Sequence, residues 1–248
     1  MDPTRDPATG PLRTFANRQI FRAMLFTMGA TAVAMDRLGV PKSLIWSFAK
    51  LQARNLCVAL GVNVTLRGAE LVAEGGPYVY TPNHQAHIDI AALLGYLPGN
   101  NRFAAKKELF DEPVLGAVMR TLGMLPVDRD DPMRSIDVLN RAAREGHSII
   151  IFPEGTRSRD GNLLPFKKGA FVAAIEMGHP VVPVILKGTR SVMPKGGHLS
   201  IYPGETEIIV KPPISTHGLG YTDRDRLRDV VRDIVAEEFA KPPSKEVA

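Results

Sequence analysis

Two hydrophobic periods divide this chain. From residue 62 onward, short apolar runs bounded by Gly, Pro or Asn read as strands: "VNVTLRG", "PYVYTPN", "RFAAK", "GMLPVD", "SIIIFPEG", "PVVPVIL" and "ETEIIVKPPI". Between them, "IDIAALLGYL", "KELFDEPVLGAVMRTLG", "PMRSIDVLNRAAREG" and "KGAFVAAIEMG" carry the spacing of helices. Gly146 and Gly178 stand where a left-handed cap closes two of them. Near the C-terminus, Leu227, Val230, Val231, Ile234 and Val235 recur at helical intervals, with Asp and Arg on the opposite face. Strands alternating with helices predict an α/β layer fold with a mixed, partly parallel sheet flanked by helices.

The first sixty residues have a different texture. The uncharged run Ala23–Met35 is shorter than the roughly 20 apolar residues a spanning helix needs. Arg13, Arg18 and Arg22 precede it, and Arg37 and Lys42 follow it. A second helical stretch begins at Ser43, after Gly39 and Pro41, and carries Trp46 and Phe48 near its start. Two readings stand: a hairpin lying in a membrane interface, or a helical pair packed on the core. The division expected is a flexible N-terminus at 1–11, the helical hairpin at 12–60, a main domain at 61–240 and a flexible tail at 241–248. No secretory signal pattern is expected in the polar start "MDPTRDPATG".

Composition narrows the class. Hydrophobic residues make up 44% and charged residues 23% of 248 residues, which excludes a disordered chain. The net charge of +5 suits nucleic acid, an acidic lipid headgroup or a phosphorylated substrate, or belongs to an ordinary basic protein. The single cysteine, Cys57, fits a reducing compartment, and its apolar setting predicts a buried, inert thiol. A phosphate-cradling G-x-x-x-x-G-K-[ST] loop, a G-x-S-x-G serine elbow and a paired C-x-x-C are all missing from the sequence.

Two stretches carry chemistry. In "PNHQAHIDI", His84, His87 and Asp89 fall within six positions. A metal reading rests on the i,i+3 histidines, but the spacing is not H-E-x-x-H, and His179, His198 and His217 occur singly. A second reading pairs His84 with Asp89. Five residues turn about 140° around a helix, so the two meet only if His84 lies in the turn after the strand and Asp89 in the first helical turn. Pro82 and Asn83 favour such a turn. The carboxylate would then fix the imidazole tautomer and favour its protonated form. A third reading makes Asn83 a helix cap and His84 incidental. In "IIIFPEGTRSRDGNLLPFKKGAF", a strand stops at Pro153 before Glu154, Gly155, Thr156 and Arg157. Gly155 allows a sharp turn or close ligand approach, and Arg157 suits bidentate phosphate binding. Arg159, Lys167 and Lys168 add charge against the lone acid Asp160. A solvated basic loop has the same composition.

Together these stretches resemble the glycerophosphate and lysophospholipid acyltransferases, most of all the bacterial 1-acyl-sn-glycerol-3-phosphate acyltransferase branch. The resemblance rests on H-x-x-x-x-D at His84 to Asp89 and "FPEGTRS" at 152–158. "AAKKELF" (104–110) with "GMLPVDR" (123–129), "PFKKGAF" (165–171) and "VVPVI" (181–185) extend it. The chain departs from the family at Ala86, where a small polar residue such as Ser is common, and His87 has no family role. The resemblance implies acyl transfer from acyl-CoA or acyl carrier protein to the free hydroxyl of 1-acyl-sn-glycerol-3-phosphate, giving phosphatidic acid. Another lyso-lipid, such as a lyso-ornithine lipid or lysophosphatidylglycerol, is the alternative acceptor. A non-catalytic lipid-binding module or a thioester hydrolase is the alternative class. It implies His84 as general base oriented by Asp89, with Glu154, Gly155, Thr156 and Arg157 binding the acceptor's phosphate and glycerol end. Arg129 and Lys106 or Lys107 are implied as further phosphate contacts, and Pro183 as shaping the acyl-donor pocket. No resident cofactor or metal is implied. The implied partners are the lysophospholipid, the acyl donor and a membrane surface, not nucleic acid. The implied location is peripheral or monotopic, on the cytoplasmic face of the inner membrane, and favours the interfacial reading of the hairpin.

Overall fold

The computed structural model describes residues 11–72, 75–195 and 200–242. Of the ends expected to be flexible, 1–10 and 243–248 lie outside the described residues, as does His198. Pro11 already opens the first helix, and Lys241 is paired with Glu238 at 3.2 Å.

The chain order is α1 (Pro11–Arg37), α2 (Lys42–Ala59), β1 (Val62–Arg67), β2 (Val79–Pro82), α3 (Ile88–Tyr96), β3 (Asn101–Lys106), α4 (Pro113–Thr121), β4 (Leu125–Val127), α5 (Pro132–Arg144), β5 (Ser148–Ile150), α6 (Gly169–Met177), β6 (Val181–Lys187), α7 (Thr189–Val192), β7 (Gly204–Val210) and α8 (Arg224–Ala240). The seven strands form one sheet in the order β1-β7-β6-β2-β5-β3-β4. Every neighbouring pair is parallel except β6 and β7, so the sheet is mixed, as the alternating pattern predicts.

Strand side chains alternate between two helical layers. Tyr80, Ile150, Val182, Val184 and Leu186 join the core under α1, α2 and α3. Val79, Ile149, Val181 and Ile185 face α5, α6 and α8. Gly146 and Gly178 have φ of 82° and 65°, and in each case the next residue donates back across the helix end, His147 to Ala142 O and His179 to Ala174 O. The stretch expected as one helix over 107–123 is two pieces: a 3-10 turn at Lys107–Phe110, then α4. Pro113 is the reason. It lacks an N–H and fits the first helical position, so it starts a helix instead of continuing one.

The N-terminal helices share this core. Ala32, Ile45, Trp46, Ala49 and Ala53 are buried with the sheet residues. Gly29 of α1 packs so closely on α4 that an added Cβ would lie 2.8 Å from Val118 Cγ2. The change of texture near residue 60 therefore falls inside one packed body, with Leu60 and Val62 in the same cluster. The outer face of α1 nevertheless exposes Leu12, Phe15, Leu25 and Phe26. No helix among the described residues is long and apolar enough to cross a membrane. Cys57 is fully buried, and burial pushes its thiol up to about 12, consistent with an inert side chain.

The topology also creates a crevice. The chain leaves β2 to reach β3 on the far side of β5, and leaves β5 to reach β6 on the far side of β2. Adjacent strands thus send their following loops in opposite directions, the arrangement in which open α/β sheets bind ligands.

Candidate active site

Asn83 ends β2 by continuing its pairing through a side chain. Its amide donates to Leu186 O at 3.0 Å and accepts from Leu186 N at 2.7 Å, so it is a buried anchor to β6 and not a helix cap. The chain then turns through His84 to His87, and Asp89 lies in the first turn of α3. Asp89 is fully buried, and its Oδ2 accepts three hydrogen bonds: from His84 Nδ1 at 2.7 Å, Gln85 N at 2.7 Å and Ala86 N at 2.9 Å. A carboxylate only accepts, so Nδ1 carries the imidazole proton and Nε2 keeps its lone pair. The His84 side chain is 14% exposed, and its Nε2 has no partner among the described residues. This is the strand, turn and helix start in which His84 and Asp89 meet.

The loop after β5 holds that turn from the other side. Phe152 stacks on the His84 ring with centroids 4.0 Å apart. Glu154 Oε1 accepts the His84 N–H at 2.7 Å, and Ser158 N donates to His84 O at 2.9 Å. Both backbone groups of His84 are thus satisfied by a segment some 70 residues away. Glu154 Oε2 accepts from Leu164 N at 3.0 Å, and the residue is 2% exposed. Each carboxylate oxygen thus accepts a backbone donor, so Glu154 ties the His84 turn to the far side of the β5 loop. Burial pushes Glu154 up to about 7, against the lowering effect of the two N–H donors.

The expected phosphate contacts divide into three groups. Gly155 adopts φ of 66°, and Arg129 Nη2 donates to its carbonyl at 3.2 Å, which brings Arg129 onto the loop beside exposed Thr156. The Arg157 guanidinium makes no hydrogen bond among the described residues; partial burial lowers its pKa, while Asp89 favours its charge. Lys106 is exposed at the C-terminal end of β3, but Lys107 is paired with Asp128 at 2.5 Å. Of the two lysines, Lys106 has no ion-pair partner among the described residues, whereas the charge of Lys107 is already balanced by Asp128. Pro183 is buried in β6 in register with Thr81, on the alternation that faces α6 and α8.

Ala86 is fully buried among Leu60, Ile88, Val192 and Met193, an apolar setting that suits a methyl group. His87 is exposed at the start of α3; desolvation and the nearby Arg157, His84 and Lys195 lower its pKa. The H-x-x-H spacing gathers no third ligand, and no group of three metal-binding side chains occurs among the described residues. Sequence reasoning missed Asn83 as an anchor, Phe152 as the stacking partner and Ser158 as a clamp. The position of Asn83 at a strand end after Pro82 was its one local signal.

A family model described as Acyltransferase matches residues 63–187, half of the chain and all of the site just described. The chain is 40% identical over 178 residues to a chloroplastic 1-acyl-sn-glycerol-3-phosphate acyltransferase of Brassica napus, covering 70% of this chain and 50% of that protein. It is 32% identical over 183 residues to the human 1-acyl-sn-glycerol-3-phosphate acyltransferase alpha, covering 72% of this chain and 64% of that protein. The chain thus spans about half the length of the plant relatives it matches. Its fold matches the crystal structure of the 1-acyl-sn-glycerophosphate (LPA) acyltransferase PlsC from Thermotoga maritima with a TM-score of 0.78 at 24% identity, over 94% of this chain and 99% of that one.

Proposed function

The chain belongs to the acyltransferase family, and from that premise we propose that it moves an acyl group from acyl-CoA or acyl carrier protein to the free hydroxyl of 1-acyl-sn-glycerol-3-phosphate, forming phosphatidic acid. The observation that carries this reading is the His84–Asp89 pair, with the backbone of His84 held by the β5 loop that carries Arg157 and receives Arg129.

The acceptor hydroxyl gives its proton to His84 Nε2 as its oxygen attacks the thioester carbonyl carbon. The C–O bond forms, the carbonyl oxygen becomes an oxyanion, and collapse of that intermediate breaks the C–S bond. The imidazolium then returns its proton to the departing thiolate. Asp89, fixed by two backbone N–H donors, stabilises the imidazolium while it exists. A thioester is already activated, so no enzyme nucleophile is needed, which accords with the inert Cys57. Base assistance accounts for ~10²–10⁴ in rate, about 3–5 kcal/mol. Holding both substrates in line accounts for roughly 7–11 kcal/mol. Positioning is thus the larger effect, and it falls to Arg157, Arg129 and Lys106 gripping the phosphate.

Acceptor and product are both lipids. The exposed apolar face of α1, with Arg13 and Arg22 also exposed on that helix, suits an interfacial seat on an anionic bilayer, and we place the protein there, on the cytoplasmic face. The deciding experiment supplies a mixed pool of lyso-lipids and acyl donors and identifies products by mass spectrometry, for wild type and His84→Ala. Phosphatidic acid from wild type and none from a folded His84→Ala is the expected result. Full activity in the variant sinks the base assignment, and products only from other lyso-lipids sink the acceptor assignment.

A further inference from the structure

The β5 loop collects cations from three other parts of the chain. Arg129 donates to Gly155 O at 3.2 Å, Lys195 to Arg157 O, and Arg190 of α7 to Arg159 O. Alternate carbonyls of one loop are each met by a cationic side chain, while the loop contributes Arg157 and Arg159 of its own. Lys195 also reaches Thr156 Oγ1 at 3.4 Å.

The acids nearby are committed elsewhere. Asp89 serves the His84 turn, Glu154 serves two backbone N–H groups, and Asp160 accepts from Ser158 Oγ and from Asn162 N and Nδ2. Residues 196–199, "GGHL", contain no carboxylate. Like charges are thus held together on the loop that clamps His84, with no ion-paired carboxylate among them within the described residues, an arrangement that an anion relieves. Desolvation, then the nearby Arg157 and Arg159, lower the pKa of Lys195.

We propose that Lys195 is a further cationic ligand of the acceptor's phosphate, added to Arg157, Arg129 and Lys106 and held on the Arg157 segment of the β5 loop. The inference rests on the acceptor reading above. A lysine ammonium has three donors. Two contact Arg157 O and Thr156 Oγ1, and the third is free for a phosphate oxygen. A phosphate monoester carries about −1.5 to −2 charge at neutral pH and three acceptor oxygens, so it can draw several cationic donors to itself. Lys195 belongs to none of the motif blocks. It arrives through α7, whose Thr189 and Val192 are buried against the site's supporting core.

The test compares Lys195→Met and Lys195→Arg with wild type on two acceptors, lysophosphatidic acid and the phosphate-free monoacylglycerol. Lys195→Met should lose roughly 10- to 100-fold in selectivity for the phosphorylated acceptor, mainly through KM, and Lys195→Arg should recover most of it. As an independent readout, the inhibition constant of glycerol 3-phosphate should rise by a similar factor. Equal losses on both acceptors, or an unchanged inhibition constant, overturn the phosphate role and leave Lys195 as a loop tether. If wild type itself does not acylate lysophosphatidic acid, the acceptor reading fails first; if wild type does and Lys195→Met matches it, only the Lys195 assignment fails.

Discussion

Replacing Asp89 with Asn removes a charge from the site while leaving its shape. The three donors on Asp89 share Oδ2, and Oδ1 has no partner among the described residues, so an Asn oxygen can keep all three bonds with its amide nitrogen at the vacant position. What is lost is the attraction between the carboxylate and the imidazolium formed when His84 takes a proton. With charge centres about 4 Å apart and an effective dielectric of about 20, that attraction is about 4 kcal/mol. It exists in the transition state and not with neutral imidazole, so it should appear in kcat, as a fall of about 10³-fold with acceptor KM little changed. Asp89→Ala differs in kind: it also strands the buried N–H groups of Gln85 and Ala86, each costing ~1–3 kcal/mol of stability. The assay is phosphatidic acid formation at saturating donor and acceptor, with denaturant unfolding of each variant. A kcat for Asp89→Asn within about tenfold of wild type, less than half of that free energy, refutes the electrostatic reasoning and reduces Asp89 to a scaffold.

Two further outcomes follow from the loop after β5. Glu154 titrates at about 7 in the folded protein against an ordinary 4.5, so its stabilising contribution is complete below about pH 4.5 and is lost as pH rises through about 7. Wild-type stability measured relative to Glu154→Gln should fall by roughly 3 kcal/mol across that window, and a difference independent of pH contradicts the assignment. Gly155→Ala should lower stability by about 1–2 kcal/mol because φ is positive there. Its Cβ would also lie 3.0 Å from Arg129 Nη2, so acceptor KM should rise as Arg129 is displaced; steady-state kinetics and thermal unfolding check both effects.

Much of this architecture was legible because burial imposes period. Val181 to Lys187 are all buried and form a strand in mid-sheet, while Leu227, Val231 and Val235 line one side of α8. The His84–Asp89 pair was legible because the turn chemistry of Pro82 and Asn83 allows the contact that a regular helix forbids. The tie from Glu154 to the His84 turn was not legible, because nothing local reveals that the backbone N–H of His84 points at that acid. The layer Pro183 faces was not legible either, because a proline in a strand gives no sign of it. The contacts of Lys195 with Thr156 and Arg157 were invisible because they depend on where α7 delivers that lysine. Contacts between distant backbone atoms and single side chains leave no periodic trace.

The clamp on His84 also bears on how members of this family can be re-engineered. Because residues 154 and 158 hold the backbone of His84, its imidazole is oriented partly by a segment distant in the chain. The two motifs behave as one mechanical part. Exchanging either alone between family members inserts half a joint, and the transplantable unit is the pair of neighbouring strands β2 and β5 with both of their loops.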